Sequence, residues 1–338
     1  MTELRVEFDA ATDPLYRDVA LRHTTELPVL GISVRFETNS ATVLGAVEES
    51  FGRWRSLASH HDLLSPERVR IRLIVQAGDE RTTGRVRLTY RVPDSERLLI
   101  QSPGSMAVTE LSLREGLAYV TPQLVADRAH FRYSIVEALT LNLVTKLDRA
   151  PVHAAAAARN GVALLLAGAS GTGKSTLTYA AACAGLQTLS DDVVFIQLTP
   201  RPRVWGMPGR VHLLPSAREH FPQLASIPVS VLASGKEKML IDLGDPAETW
   251  SSPVAERAGI CLLQRVDGPV SLESLPSTDI RAMLLAGLEG GFDCFRDTIE
   301  ARLAALSNGS GWRLNLSGNP TDAVPYLQVM LDELEARG

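Results

Sequence analysis

The residues best suited to chemistry lie in the stretch LLLAGASGTGKSTLTYAAACAGLQTLSDDVVF, residues 164 to 195. Residues 168 to 175 match G-x-x-x-x-G-K-[ST], a loop whose backbone N–H groups surround phosphate oxygens. An apolar run precedes the loop and a helix is predicted to begin at the lysine, which is the setting that the pattern requires. The residues predicted to bind the nucleotide are Gly168, Ala169, Ser170, Gly171, Thr172, Gly173, Lys174, Ser175 and Thr176.

Two of these residues have individual roles in such a loop. The Lys174 ammonium group is expected to bridge the β and γ phosphates, and the Ser175 hydroxyl to ligate Mg²⁺. The N-terminus of the following helix adds positive potential where the phosphates would lie. A nucleotide with Mg²⁺ is therefore the predicted ligand; we expect ATP, although the loop itself does not distinguish ATP from GTP.

Asp191 and Asp192 follow Lys174 by 17 and 18 positions, enough for one helix and one strand that returns beside the loop's own strand. Side chains alternate along a strand, so two consecutive acids cannot face the same way. One carboxylate can then support the metal while the other removes the proton from a hydroxyl, which is the division that a kinase needs. The alternative is a solvated strand end without chemistry.

The elements that must position these groups can also be predicted. A helix over 174 to 184 ends at Gly185, a strand leads to the aspartates, and VVFIQL forms the next strand. Upstream, Asn160-Gly161 between two apolar runs predicts a hairpin, and the alanine-rich run before it, PVHAAAAA, is assigned to a strand that begins near His153. His153 then lies one hairpin from the phosphates.

The rest of the chain predicts a second domain. Alternating apolar residues at 30 to 36, 69 to 75 and 86 to 92 indicate a mostly antiparallel sheet with solvated arginines, and Ser40 precedes an amphipathic helix. From 128 to 147 apolar residues recur every four positions, which indicates a helix leading into the second part. We therefore predict a β-rich α+β domain over 1–127 and an α/β nucleotide domain over 128–338.

Composition narrows the partners and the compartment. A net charge of -5 over 338 residues disfavours nucleic acid and anionic membranes as partners. The three cysteines have no metal or CxxC spacing and are interpreted as buried thiols in a reducing compartment. An acidic N-terminal segment and the lack of any apolar run of about 20 residues lead us to expect a cytoplasmic protein.

Together, His153 in PVHAAAA, the loop GASGTGKS and the pair in LSDDVVF resemble the catalytic domain of bacterial HPr kinase/phosphorylase and its relatives. That group shares the phosphoenolpyruvate carboxykinase type of P-loop nucleotide fold. The likeness covers roughly residues 150 to 200, and the chain looks closer to the divergent HPr-kinase-related enzymes, among which are kinases of modified-peptide precursors and of free serine.

The resemblance implies specific roles. Asp191 would be the general base for a serine hydroxyl, Asp192 would support the metal with Ser175, and His153 would lie near the phosphates. Arg210, in VWGMPGRVHLLP, is the candidate for the family's charge-neutralising arginine. The acceptor would be a peptide, a protein or a small molecule with a hydroxyl, and the family likeness suggests a homo-oligomer.

Two other functions stay open at this point. TKLD at 145 to 148 is similar to a guanine-specificity motif, which permuted GTPases place before the phosphate loop. Only 19 residues separate Asp148 from Gly168, and no D-x-x-G follows at a suitable distance. A regulatory protein that senses nucleotide without transferring phosphate is the second alternative, with the N-terminal domain recognising a protein.

Overall fold

The computed structural model describes residues 19–76, 86–207, 209–231, 236–243, 253–286, 288, 296–306 and 311–337. The chain divides into two compact units, Met1–Leu143 and Val144–Gly338. Together they contain several sheets with helices between them, so the fold is mixed α/β. Across the described ranges, no helix is both long enough and apolar enough to cross a membrane.

The first unit is built on a seven-stranded sheet of order β1-β2-β3-β7-β6-β5-β4. Its strands are β1 (His23–Val29), β2 (Ile32–Thr38), β3 (Arg68–Val75), β4 (Thr89–Arg91), β5 (Arg97–Ser102), β6 (Ser105–Glu110) and β7 (Glu115–Val120). Its α-helices are α1 (Ala41–Phe51), α2 (Pro122–Ala126) and α3 (Arg128–Phe131). A π-helical segment, Arg132–Glu137, leads from α3 into α4 (Ala138–Lys146). The last residues of α4 belong to the second unit.

This sheet is mostly antiparallel, as predicted, but two of its strand pairs are parallel. β2, β3 and β7 run parallel to one another. α1 lies in the crossover from β2 to β3, and β4, β5 and β6 lie between β3 and β7 in the chain; alternation of side chains does not encode these directions. The arginines of β3 do lie on the more exposed face, where Arg70 pairs with Glu37 at 2.7 Å and Arg72 with Glu115 at 3.0 Å. Ion pairs with acidic residues of the neighbouring strands therefore explain the exposed arginines of β3.

The second unit holds the predicted nucleotide loop, and its described residues form three sheets. They have the strand orders β11-β9-β10-β18-β20-β19, β17-β13-β12-β8 and β14-β16-β15. The strands are β8 (Ala150–Val152), β9 (Ala155–Arg159), β10 (Val162–Ala167), β11 (Gln187–Ser190), β12 (Val194–Gln197), β13 (Arg203–Trp205), β14 (Arg210–Leu213), β15 (Val229–Val231), β16 (Glu237–Asp242), β17 (Val254–Ala255), β18 (Arg257–Arg265), β19 (Ser271–Leu275) and β20 (Gly311–Leu316). The helices are α5 (Lys174–Cys183), α6 (Ser277–Ala286), α7 (Arg296–Leu306) and α8 (Val324–Ala336).

The six-stranded sheet is covered on both faces. Ala155, Ala157 and Leu164 pack on the side of α5 and α8, and the alternate residues of the same strands pack on the side of α6 and α7. Strands buried on both faces are apolar throughout rather than alternating. The small alanine side chains of β9 let the neighbouring layers approach closely, and this explains how an alanine-rich run forms a strand.

The alanine-rich segment differs in one respect from the single strand that we predicted. The chain forms β8 in the four-stranded sheet, crosses at His153 and Ala154, and then forms β9 in the six-stranded sheet. The predicted hairpin is confirmed: Asn160 and Gly161 both have positive φ, and Arg159 pairs with Val162. A switch between sheets depends on long-range packing, so periodicity cannot reveal it.

The cysteines are only partly as predicted. Cys261 is fully buried, and burial raises the pKa of its thiol well above the ordinary range. Cys183 is exposed because it lies in the last turn of α5, so its predicted burial is wrong. Cys294 lies outside the described residues.

Candidate nucleotide site

The loop from Gly168 to Gly173 joins a fully buried strand, β10, to the first residue of α5. Gly173 caps the helix with a φ of +105°, a conformation that residues with side chains rarely adopt. The Lys174 side chain folds back over the loop, and its Nζ donates to the Gly168 carbonyl at 2.6 Å. The strand, the turn and the helix are therefore arranged as an anion-binding loop requires.

The tip of the loop is exposed to solvent. Ala169, Ser170 and Gly171 are exposed, and the Thr172 hydroxyl donates to the Ala169 carbonyl at 2.9 Å. Ser175 and Thr176 are half-buried in the first turn of α5. The predicted binding residues thus form one continuous segment, whose N–H groups and hydroxyls lie at the positive end of the helix.

The aspartates and the loop lie at the same edge of the six-stranded sheet. β11 and β10 both pair antiparallel with β9, so β11 and β10 run in the same direction and end at the same edge. Asp191 follows β11 and Gly168 follows β10, while His153 precedes β9 by two positions at that edge. The register therefore brings the three predicted groups to one side of the sheet.

His153 and Asp192 lie close together, each at a point where the chain passes from one sheet to the other. The chain passes from β8 to β9 through His153 and from β11 to β12 through Asp192, and β8 pairs with β12. His153 Nδ1 lies 3.5 Å from Asp192 Oδ1. The Asp192 side chain is 60% exposed, so its carboxylate is open to a ligand.

Asp191 has a different environment from its neighbour. Its side chain is only 9% exposed, and its Oδ2 accepts the backbone N–H of His212 at 2.6 Å. The His212 ring also approaches it, with Nδ1 at 3.3 Å from the same oxygen. These contacts from β14 hold the Asp191 carboxylate in one orientation.

His212 was missed in the sequence because nothing in its spacing links it to the aspartates. It lies on β14, where Val211 and Leu213 are buried while Arg210 and His212 are half-buried on the other face. Alternation therefore puts Arg210 on the same face as the histidine that contacts Asp191. The sequence signal that could have indicated His212 is the alternation in RVHL, where Arg210 and His212 alternate with two apolar residues.

Gly206 fixes the segment just before the aspartates. A Cβ added to Gly206 would lie 1.9 Å from the Leu189 carbonyl oxygen, so no other residue fits without backbone movement. Leu189 lies in β11, two residues before Asp191. The close approach of these two backbones helps to set the position of the carboxylates.

The oxygen atoms at this site are suited to bind Mg²⁺ only together with the phosphates of a bound nucleotide. No cluster of three or more His, Cys, Asp or Glu side chains that could hold a metal occurs in the ranges described above. Mg²⁺ usually takes one or two protein oxygens together with substrate phosphates and water. The Ser175 hydroxyl and the exposed Asp192 carboxylate fit that pattern.

Both carboxylate oxygens of Asp148 accept hydrogen bonds from the protein itself, so the side chain is not free to bind a guanine base. Its Oδ2 accepts from the Leu198 and Thr199 backbone N–H groups at 3.0 and 2.7 Å, and Arg302 donates to Oδ1 at 2.6 Å. Burial alone would raise the pKa of Asp148, but the hydrogen bonds from Thr199, Leu198 and Arg302 lower it overall. With both oxygens occupied, TKLD does not present the carboxylate that a guanine-reading motif needs.

Comparisons with known proteins give little further information. No family model matches the chain, and no curated protein sequence matches it. Among solved structures, the HPr(Ser) kinase/phosphatase from Coxiella burnetii matches at 14% identity and a TM-score of 0.26, over 55% of this chain and 90% of that chain. A TM-score of this size supports neither a family nor an activity.

Proposed function

We propose that the protein is a kinase that transfers the γ-phosphoryl group of Mg²⁺-ATP to a hydroxyl, with serine as the favoured acceptor. Its second unit would be a divergent P-loop domain of the HPr-kinase type. The observation that carries the proposal is the placement of Gly168–Ser175, Asp191 and Asp192 at one edge of one sheet. Phosphoryl transfer needs the phosphates, the metal and the base together at such a place.

The loop would hold the triphosphate through its N–H groups and the helix N-terminus. Lys174, already folded against the loop, would neutralise the β and γ phosphates. Ser175 and Asp192 would hold Mg²⁺, which when bound neutralises charge that develops on the phosphate oxygens. Arg210 would add a further positive charge from β14.

Asp191 would act as the base. The acceptor oxygen forms a bond to the γ-phosphorus as the bond from that phosphorus to the β–γ bridging oxygen breaks. ADP leaves, and the hydroxyl proton goes to Asp191. The His212 N–H bond would hold the carboxylate in place, while His153 would orient Asp192 at 3.5 Å.

The experiment is incubation of the purified chain with γ-labelled Mg²⁺-ATP and a panel of acceptors. The panel contains free serine, the carrier protein HPr and short peptides ending in serine. We expect label in at least one acceptor and none with Lys174→Ala. Saturable ATP binding without transfer to any acceptor would instead favour a nucleotide sensor, and stabilisation by guanine but not adenine nucleotides would favour a GTPase.

A further inference from the structure

A cavity of about 590 Å³ lies at the ends of β18 and β20. Its lining combines the segments Arg265–Gly268 and Leu316–Gly318. Its volume is within the range of small-molecule sites, which is about 300–1,000 Å³. None of the groups considered for phosphoryl transfer lines it.

The cavity lies at the same sheet edge as the phosphate loop. β10, β18 and β20 are consecutive parallel strands, with Ala167 opposite Leu262 and Arg265 opposite Leu316. Their carboxyl ends therefore meet at one edge, and such an edge is where ligands bind in open α/β sheets. The loop after β10 is followed along that edge by the two segments that line the cavity.

The cavity and the aspartates lie on opposite sides of the loop. In the strand order, β9 and β11 are on one side of β10, whereas β18 and β20 are on the other. The terminal phosphate of a bound nucleotide must point to the side of the acceptor and the aspartates. The opposite end of the nucleotide then points to the cavity.

Arg265 connects the loop with the cavity. Its Nη2 lies 3.1 Å from the position that a Cβ on Gly173 would take, so the guanidinium rests against the last glycine of the loop. The Arg265 side chain is exposed, lines the cavity and makes no hydrogen bond or ion pair with the part of the chain that the structure describes. A planar guanidinium can stack on an aromatic base and bond to phosphate oxygens.

We propose that this cavity is the nucleoside site, which takes the base and ribose of ATP, and that Arg265 holds the junction between the nucleoside and the phosphates. This inference rests on the proposed binding of nucleotide at the loop. It does not depend on transfer, because binding and chemistry use different sides of the loop.

The test compares the binding of Mg²⁺-ATP with that of Mg²⁺-tripolyphosphate, which has the phosphates but no nucleoside. Ser317→Trp would fill the cavity, and Ser274→Trp, an exposed serine on β19, is the matched control. By calorimetry, we expect Ser317→Trp to weaken ATP binding at least about tenfold and to leave tripolyphosphate binding within about twofold. Retained tripolyphosphate binding also shows that the variant is folded.

Arg265→Leu provides a second test, with Arg296→Leu, an exposed arginine at the start of α7, as its control. Arg265→Leu should weaken ATP binding by about tenfold, and Arg296→Leu should not change it. Wild-type ATP affinity in Ser317→Trp, or equal losses for ATP and tripolyphosphate, would overturn the cavity assignment while leaving the kinase proposal in place. If the wild type binds ATP and the variants lose affinity as expected, but no phosphoryl transfer is detected, only the kinase proposal is contradicted. A wild-type chain that binds neither ligand would overturn both.

Discussion

The Asp191 carboxylate accepts the backbone N–H of His212 at 2.6 Å, and the ring Nδ1 of the same histidine lies 3.3 Å from the same oxygen. One residue of β14 thus contacts, through both backbone and side chain, the acid proposed as the base. The backbone contact survives any substitution at 212 except proline, which has no backbone N–H, so the contribution of the ring can be measured separately.

His212→Ala should slow phosphoryl transfer by about tenfold or more while the affinity for ATP stays unchanged, because the ring orients the base and does not contact the nucleotide. Initial rates at saturating ATP, together with ATP affinities from calorimetry, would measure both quantities.

The control for that experiment is His220→Ala. His220 is a half-buried histidine that follows the turn after β14 and packs edge-on against Phe221. Its removal should leave the transfer rate within about twofold of the wild-type rate. An unchanged rate in His212→Ala as well would mean that the ring has no part in positioning Asp191.

Gly206→Ala should destabilise the second unit and impair transfer. The added methyl group would lie 1.9 Å from the Leu189 carbonyl oxygen, which belongs to the backbone and cannot rotate away. Overpacking of this kind costs about 1–3 kcal/mol in the free energy of unfolding. Urea unfolding measures the loss.

Gly45→Ala is the comparison for this substitution. The added Cβ at Gly45 meets only the end of the Arg128 side chain, which can move. The change in stability there should stay within about 1 kcal/mol, helped by the better helix propensity of alanine. Equal effects of the two substitutions would show that the close approach at Gly206 is not special.

Asp148→Asn should remove a pH-dependent part of the stability. The folded-state pKa of Asp148 is lowered, because hydrogen bonds from Thr199, Leu198 and Arg302 outweigh the effect of burial. A lowered pKa stabilises the fold above the ordinary carboxyl pKa of about 4, and this stabilisation is lost as the pH falls through the folded-state value. The wild-type advantage over Asp148→Asn should therefore be constant near pH 7 and should shrink below about pH 4.

Unfolding curves of both proteins from pH 7 to pH 3 would measure that difference. An advantage that stays the same down to pH 3 would contradict the role given to this carboxylate. The same variant should keep the wild-type preference among nucleotides, since Asp148 caps the end of β12 and does not face a ligand.

Elements that neighbouring residues encode could be predicted from the sequence, whereas contacts that depend on strand order and register could not. The strand, loop and helix around Lys174, the hairpin at Asn160-Gly161 and the strand before Asp191 are each encoded by neighbouring residues, and the structure has them. Strand direction in the first unit was not predictable from alternation. The crossing at His153 between two sheets is likewise set by packing of the whole unit.

The same limit explains the residues that were overlooked. His212 reaches Asp191 across 21 positions, because β14 passes beside the end of β11. Arg265 reaches Gly173 across a still longer stretch, because β18 pairs with β10. No spacing rule for single sequences encodes such contacts, because they depend on the order of the strands and on how the sheets pack together.

The most direct test is the rate of label transfer from γ-labelled Mg²⁺-ATP, at saturating ATP, for the wild type and for Asp191→Asn. Asp94→Asn, which alters an exposed aspartate of the first unit, serves as the control. The kinase account predicts at least about a hundredfold loss in Asp191→Asn, with ATP affinity within about twofold of wild type and no loss in the control. Transfer by Asp191→Asn at the wild-type rate would contradict it.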